Sequence, residues 1–197
     1  MATVTAAKLA LLATPSIDER IRALRIHSLD VLAPQMRAAV VMLTQDCATL
    51  WVTLPNNVTA SLALDVWETA RGNALQKLYY QKGASNAAIA RKSWHFYGVA
   101  IDVIHPTYGW FTGAEAIAKW PNKAMREAAG RQWFAAVAAQ GKLRGLKWGG
   151  DWTSFKDLPH LYWGKCGPTP IQAPAIYDAA GGGLAGLYDV WAEIGAL

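Results

Sequence analysis

Hydrophobic residues at Met36, Val40, Leu43 and Cys47 recur at helical spacing and predict a helix from about Leu32 to Asp46. Trp51 to Leu64 reads as two extended pieces joined by a turn at Pro55-Asn56-Asn57. Asp65 to Thr69 alternates apolar and polar positions as a strand does, and a helix follows from Asn73 to Lys82. That helix places Leu75, Leu78 and Tyr79 on one face and stops at Gly83. Tyr97 to Ile104 is rich in β-branched residues and predicts the best strand of the chain. Asn122 caps a long helix through Met125, Ala128, Phe134 and Val137, which is expected to end at Gly141. Arg144 to Trp148 and His160 to Trp163 read as short strands. Two C-terminal helices, Ala173 to Ala180 and Leu184 to Ile194, flank the Gly181-Gly182-Gly183 break. Helices mixed with a small sheet make an α+β fold.

Composition narrows the class. At 197 residues, with 53% hydrophobic and 17% charged, the chain has enough apolar material for a core and is too poor in charge to be disordered. No internal repeat or low-complexity linker divides it, so one domain is expected. The net charge of +5 favours anionic surfaces such as acidic lipid, nucleic acid or bacterial wall, but no basic run singles out nucleic acid. Cys47 and Cys166 lack CxxC spacing and are expected to be free thiols, as in a reducing cytoplasm. The apolar run Leu9 to Ala13 is shorter than a signal peptide's core, and no stretch approaches the ~18 residues of a membrane span. The expectation is a chain made without a cleaved export signal and without stable membrane insertion. Ten tryptophans are many, and seven cluster between Trp94 and Trp163, as core or as walls of a cleft.

Three segments hold residues that suit a metal: Ser93 to Asp102, Trp148-Gly149-Gly150-Asp151-Trp152, and Asp157-Leu158-Pro159-His160. A catalytic zinc takes three protein donors and leaves a position open. His95, Asp102 and His160 would supply N, O and N. On a straight strand His95 and Asp102 would lie roughly 23 Å apart on opposite faces. On a helix they would still be about 10 Å apart along the axis. The chain must therefore bend between them, most easily at Gly98, with His95 before the strand and Asp102 well along it. Pro159 biases Leu158 towards extended backbone, which lets Asp157 and His160 flank one cleft. His27 and His105 stand alone and read as structural.

The pattern S-x-H-x-x-G-x-A-x-D, followed by W-G-G-D-W and D-x-P-H, resembles the zinc peptidases of the D-Ala-D-Ala carboxypeptidase and L-alanyl-D-glutamate endopeptidase family, and most closely its phage endolysins. Upstream, Arg71, Gln76 and Gly83 keep the family's intervals, although Ala70 and Gly72 replace its usual tyrosine and serine. The resemblance covers Asp65 to Trp163. It implies a small α+β domain, similar to the Hedgehog signalling domain, with a short antiparallel sheet carrying the metal. The division it implies is a leading region over 1–64, a catalytic core over 65–163 and C-terminal helices over 164–197. It further implies zinc on His95, Asp102 and His160, Asp157 as general base for a zinc-activated water, and Arg71 stabilising the oxyanion. Ser93, Gln76, Trp148 and Trp152 are its candidates for substrate contact.

The expected activity is hydrolysis of the L-Ala–D-Glu bond in the stem peptide of bacterial peptidoglycan. The enzyme would be a monomer that stays in the host cytoplasm until a holin-like pore gives it access to the wall. The alternatives are a carboxypeptidase removing terminal D-Ala, a wall-binding module that has lost catalysis, and a nucleic-acid binder supported by charge alone.

Overall fold

The computed structural model describes residues 16–85 and 87–197; the run Leu9 to Ala13 lies outside them. Helices are α1 (Ile17–Leu24), α2 (Pro34–Cys47), α3 (Asn73–Gln81), α4 (Ala114–Lys119), α5 (Lys123–Leu143), α6 (Ala173–Ala179) and α7 (Gly183–Glu193). Strands are β1 (Trp51–Leu54), β2 (Val58–Ser61), β3 (Asp65–Glu68), β4 (Ala100–Ile104), β5 (Leu146–Trp148) and β6 (His160–Trp163). Strands β1 and β2 form a hairpin, and the others an antiparallel sheet in the order β3-β4-β6-β5, so the fold is α+β. No helix among the described residues is long and apolar enough to cross a membrane.

Local chemistry accounts for most boundaries. Pro34 opens α2 at a position where its missing N–H costs nothing. The Asn122 side chain accepts from the N–H groups of Ala124 and Met125 to start α5. Asn56 and Asn57 take positive φ in the turn between β1 and β2, a conformation asparagine tolerates better than most residues. Helix α1 starts with a reciprocal cap between Ser16 and Glu19, a Ser-x-x-Glu signal legible in the sequence and absent from the expected elements.

Three of the boundaries that differ from expectation have a clear local cause. The strand predicted from Tyr97 begins at Ala100, because Trp94–Tyr97 forms a 3-10 turn that ends on a left-handed Gly98 (φ 64°). Helix α5 continues past Gly141 to Leu143; Gly141 packs against Leu146 and Leu161 and marks a close approach. Strand β5 starts at Leu146 rather than Arg144, after the left-handed Gly145.

The core lies between the sheet, α2 and α5, with Val40, Leu43, Ile101, Trp133, Val137 and Leu161 almost fully buried. Six buried or half-buried indoles also donate to backbone carbonyls, tying loops to the core. Trp120 holds Pro55, Trp133 holds Ser61, Trp94 holds Gly167 and Trp148 holds Leu158, while Trp163 and Trp191 hold Ile194 and Tyr97. Each such bond adds about 1 kcal/mol net. Trp51, by contrast, is 66% exposed. Cys47 and Cys166 are free and buried, and burial pushes their thiols up to about 11 and 12.

His105 is buried among Tyr108, Phe111 and Trp133, with Nδ1 accepting from the N–H groups of Thr107 and Tyr108. Burial lowers its pKa from 6.5 to about 4 despite the opposing charge of Asp65. Between those values the unfolded chain binds the extra proton, so stability falls as pH drops through this window. His105→Asn keeps an acceptor near the Nδ1 position and removes the titration. From pH 7 to pH 5 the natural chain should lose about 2 kcal/mol more than the variant by denaturant unfolding. Equal losses would show that His105 is not the group responsible.

Candidate metal centre

The register of the sheet brings the site together. Glu68 on β3 pairs with Asp102 on β4, which pairs with His160 on β6, so three chemically active residues form one row across adjacent strands. A bulge between Val66 and Glu68 sets the end of that row. His95 arrives from outside the sheet. The turn Trp94–Tyr97, capped by the Ser93 hydroxyl accepting from the His95 N–H at 3.4 Å, swings its ring over the row. Gly98 closes the turn where a Cβ would lie 2.4 Å from the Val31 carbonyl oxygen. The bend that the seven-residue spacing demands is thus built from a 3-10 turn and one left-handed glycine.

His95 Nε2, Asp102 Oδ1 and His160 Nδ1 converge, with separations of 3.2 Å between the two nitrogens and of 3.3 and 3.1 Å from each to the oxygen. Donors placed tetrahedrally about 2.0–2.1 Å from zinc sit about 3.3 Å from one another, so this triangle fits such an ion. The surroundings of the triangle are acidic. Glu68, Asp102 and the partly buried Asp157 gather around one largely buried guanidinium, Arg71. Burial acts to raise the Asp102 carboxyl, but His95 and His160 outweigh it and hold it well below the usual range. Burial lowers His95 to about 4, so its ring is neutral near pH 7 and retains a lone pair.

Asp157 stands outside the three donors and lines the same cleft. Burial first, and the Asp102 charge second, push its carboxyl up to about 6, against the pull of His160 and Arg71. Its backbone N–H donates to Gly149 O at 3.1 Å, and its carbonyl accepts from the His160 N–H at 3.3 Å. A Cβ on Gly149 would lie 2.5 Å from that carbonyl and 3.1 Å from the His160 Cβ. Gly149 of W-G-G-D-W therefore admits the Asp157–His160 segment, and Gly150 admits the Trp148 ring.

The cleft has a volume of about 940 Å³. Ser93, Arg71 and Trp152 line it, and the Trp152 indole donates to the Tyr162 hydroxyl at 3.1 Å beside the His160 ring. Two expected substrate contacts fall elsewhere. Trp148 is turned from the cleft, its indole donating to Leu158 O at 2.6 Å and its ring lying against Gly150, so it braces the Asp157 segment. Gln76 is fully buried; its amide donates to Ser85 and Ala87, and its carbonyl accepts from Arg71 at 3.4 Å. It holds the loop after α3. The guanidinium of Arg71 engages Glu68 through Nε, Gln76 through Nη1 and Asp102 through Nη2, leaving two of its five N–H groups for a ligand.

Sequence reasoning passed over Glu68, Tyr79 in this role, and α1. The Tyr79 hydroxyl donates to Glu68 at 2.8 Å and its ring lies under Arg71. Burial pushes the Glu68 carboxyl up to about 7, against Arg71. Helix α1 packs on α3, with a Lys82–Asp18 ion pair between them, and contributes Asp18, Ile21 and Arg22 to the cleft wall.

Residues 87–163 match the family model described as D-alanyl-D-alanine carboxypeptidase. The matched segment contains all three converging donors and Asp157. Among solved structures, the chain is similar to the L-Ala D-Glu endopeptidase ChiX of Serratia marcescens, with 20% identity, 75% of this chain and 95% of that chain covered, and a TM-score of 0.45.

Proposed function

We propose that this chain, which carries the D-alanyl-D-alanine carboxypeptidase family segment, is a zinc-dependent peptidase that cuts the L-Ala–D-Glu bond of peptidoglycan stem peptides. The observation that carries the reading is the convergence of His95 Nε2, Asp102 Oδ1 and His160 Nδ1 in a cleft that Asp157 also lines. His95, Asp102 and His160 would hold a zinc ion, which would supply Lewis-acid activation of the scissile carbonyl and of water.

The protein's own groups do the rest. Asp157 takes the proton of the attacking water on a carboxylate oxygen and returns it to the departing amine nitrogen, so the proton balance closes within one turnover. Burial of this carboxyl favours its protonated form, which helps it carry the proton between the two steps. The free N–H groups of Arg71 face the developing negative charge on the carbonyl oxygen. Trp152 and Ser93 bound the peptide beside the donors.

The cleft volume lies at the upper end of the ~300–1,000 Å³ of small-molecule sites, which supports binding of a chain on both sides of the cut. The net charge of +5 supports attraction to an anionic wall and an endolysin-like role there. The family's own description supports the second reading, removal of a terminal D-Ala.

Mass spectrometry of purified peptidoglycan digested with the protein tests this, with chelator and then with zinc restored. Stem peptides beginning at D-Glu, abolished by chelator and recovered with zinc, are expected. Loss of terminal D-Ala alone would transfer the chain to the carboxypeptidase reading, and zinc binding without cleavage would leave a wall-binding module.

A further inference from the structure

We propose that Glu68 is a positioning residue that fixes the His95 imidazole for metal binding by accepting its Nδ1 proton. The inference rests on the zinc reading of the site and concerns what stands behind the three donors. His95 directs Nε2 at Asp102 Oδ1 and His160 Nδ1. For Nε2 to offer a lone pair there, the ring's single proton must sit on Nδ1. That nitrogen is buried without a hydrogen-bond partner in a side chain only 1% exposed. The carboxylate facing it is Glu68, with Oε1 at 3.9 Å.

Glu68 is held for this task. Its side chain is fully buried, Arg71 Nε donates to Oε1, and the Tyr79 hydroxyl donates to Oε2 at 2.8 Å. Both oxygens are therefore fixed in direction. Through Arg71, whose Nη2 reaches Asp102 Oδ2 at 3.1 Å, the same carboxylate also orients a second donor. A carboxylate behind a ligating histidine sets its tautomer and raises its basicity, and removing such a partner costs about 10–100-fold in metal affinity.

The test compares the natural chain with Glu68→Gln, which keeps the side-chain volume and removes the charge. Zinc affinity, measured by competition with a chromogenic chelator, should fall about 10–100-fold. Nitrogen-15 NMR of the zinc-loaded chains should find a hydrogen-bonded His95 Nδ1 proton protected from exchange in the natural chain and exchanging faster in the variant. An affinity within twofold of the natural chain's, with only a lower melting temperature, would make Glu68 merely structural and overturn the proposal. If the variant does not fold, the zinc-loaded natural chain decides: an exchange-protected, hydrogen-bonded Nδ1 proton on His95 supports the role, and a freely exchanging one ends it. No arm uses substrate, so a protein that passes here and leaves peptidoglycan intact refutes the proposed activity alone. One that binds no zinc refutes both.

Discussion

Asp157→Asn should retain one zinc per chain and lose about 10²–10⁴-fold in turnover, whereas His95→Ala should lose both metal and activity. The division follows from geometry. His95 supplies one corner of a triangle with edges of 3.1–3.3 Å, and its loss leaves two donors. Asp157 lines the cleft without entering that triangle. Its replacement by an amide of the same size preserves the backbone bonds to Gly149 and His160 and removes the proton acceptor. Metal content by atomic absorption, read beside peptide release, separates the two variants. If Asp157→Asn emptied the site, Asp157 would be a ligand and another base would have to be found.

Gly98→Ala should cost roughly 2–5 kcal/mol of stability and weaken metal binding in whatever fraction remains folded. Two terms add. A left-handed alanine costs about 1–2 kcal/mol, and the new Cβ, 2.4 Å from Val31 O, forces the kind of shift that costs about 1–3 kcal/mol in a packed interior. The contact cannot relax cheaply, because the Gly98 carbonyl also accepts from the Ala33 N–H at 2.9 Å and locks the turn to the start of α2. Since that turn aims His95, strain there should reach the metal. Thermal unfolding with and without zinc measures both effects. A variant with unchanged melting temperature and full zinc affinity would mean that the turn tolerates another backbone path.

The donors were legible because the motif that carries the family resemblance sets residue types at fixed intervals along the chain. Seven residues from His95 to Asp102 cannot reach one ion without a bend, and Gly98 was the residue able to make it; the structure places that bend there. What spacing did not give was the bend's form, so the strand was expected to begin at Tyr97, whereas Tyr97 belongs to the turn. Trp148 and Gln76 sit in the right segments for substrate contact, but a side chain's direction follows from packing. Trp148 turns to Leu158 and Gln76 into the loop after α3. Glu68 was hidden for a related reason. In an alternating strand it reads as one more polar position, and only its register opposite Asp102 shows that it is buried behind the site.

The sequence alone determined the kinds of element and the α+β class, since periodicity and capping act over a few residues, and its motif resemblance named the candidate donors. The tertiary structure decided which polar side chains are buried together, which aromatic rings face the cleft and that α1 forms part of its wall. Those depend on strand register and helix packing between segments far apart in the chain, as His95 and His160 are at 65 residues and Asp46 and Arg144 at 98. A single strand's pattern cannot encode them, because they exist only once its neighbours are in place.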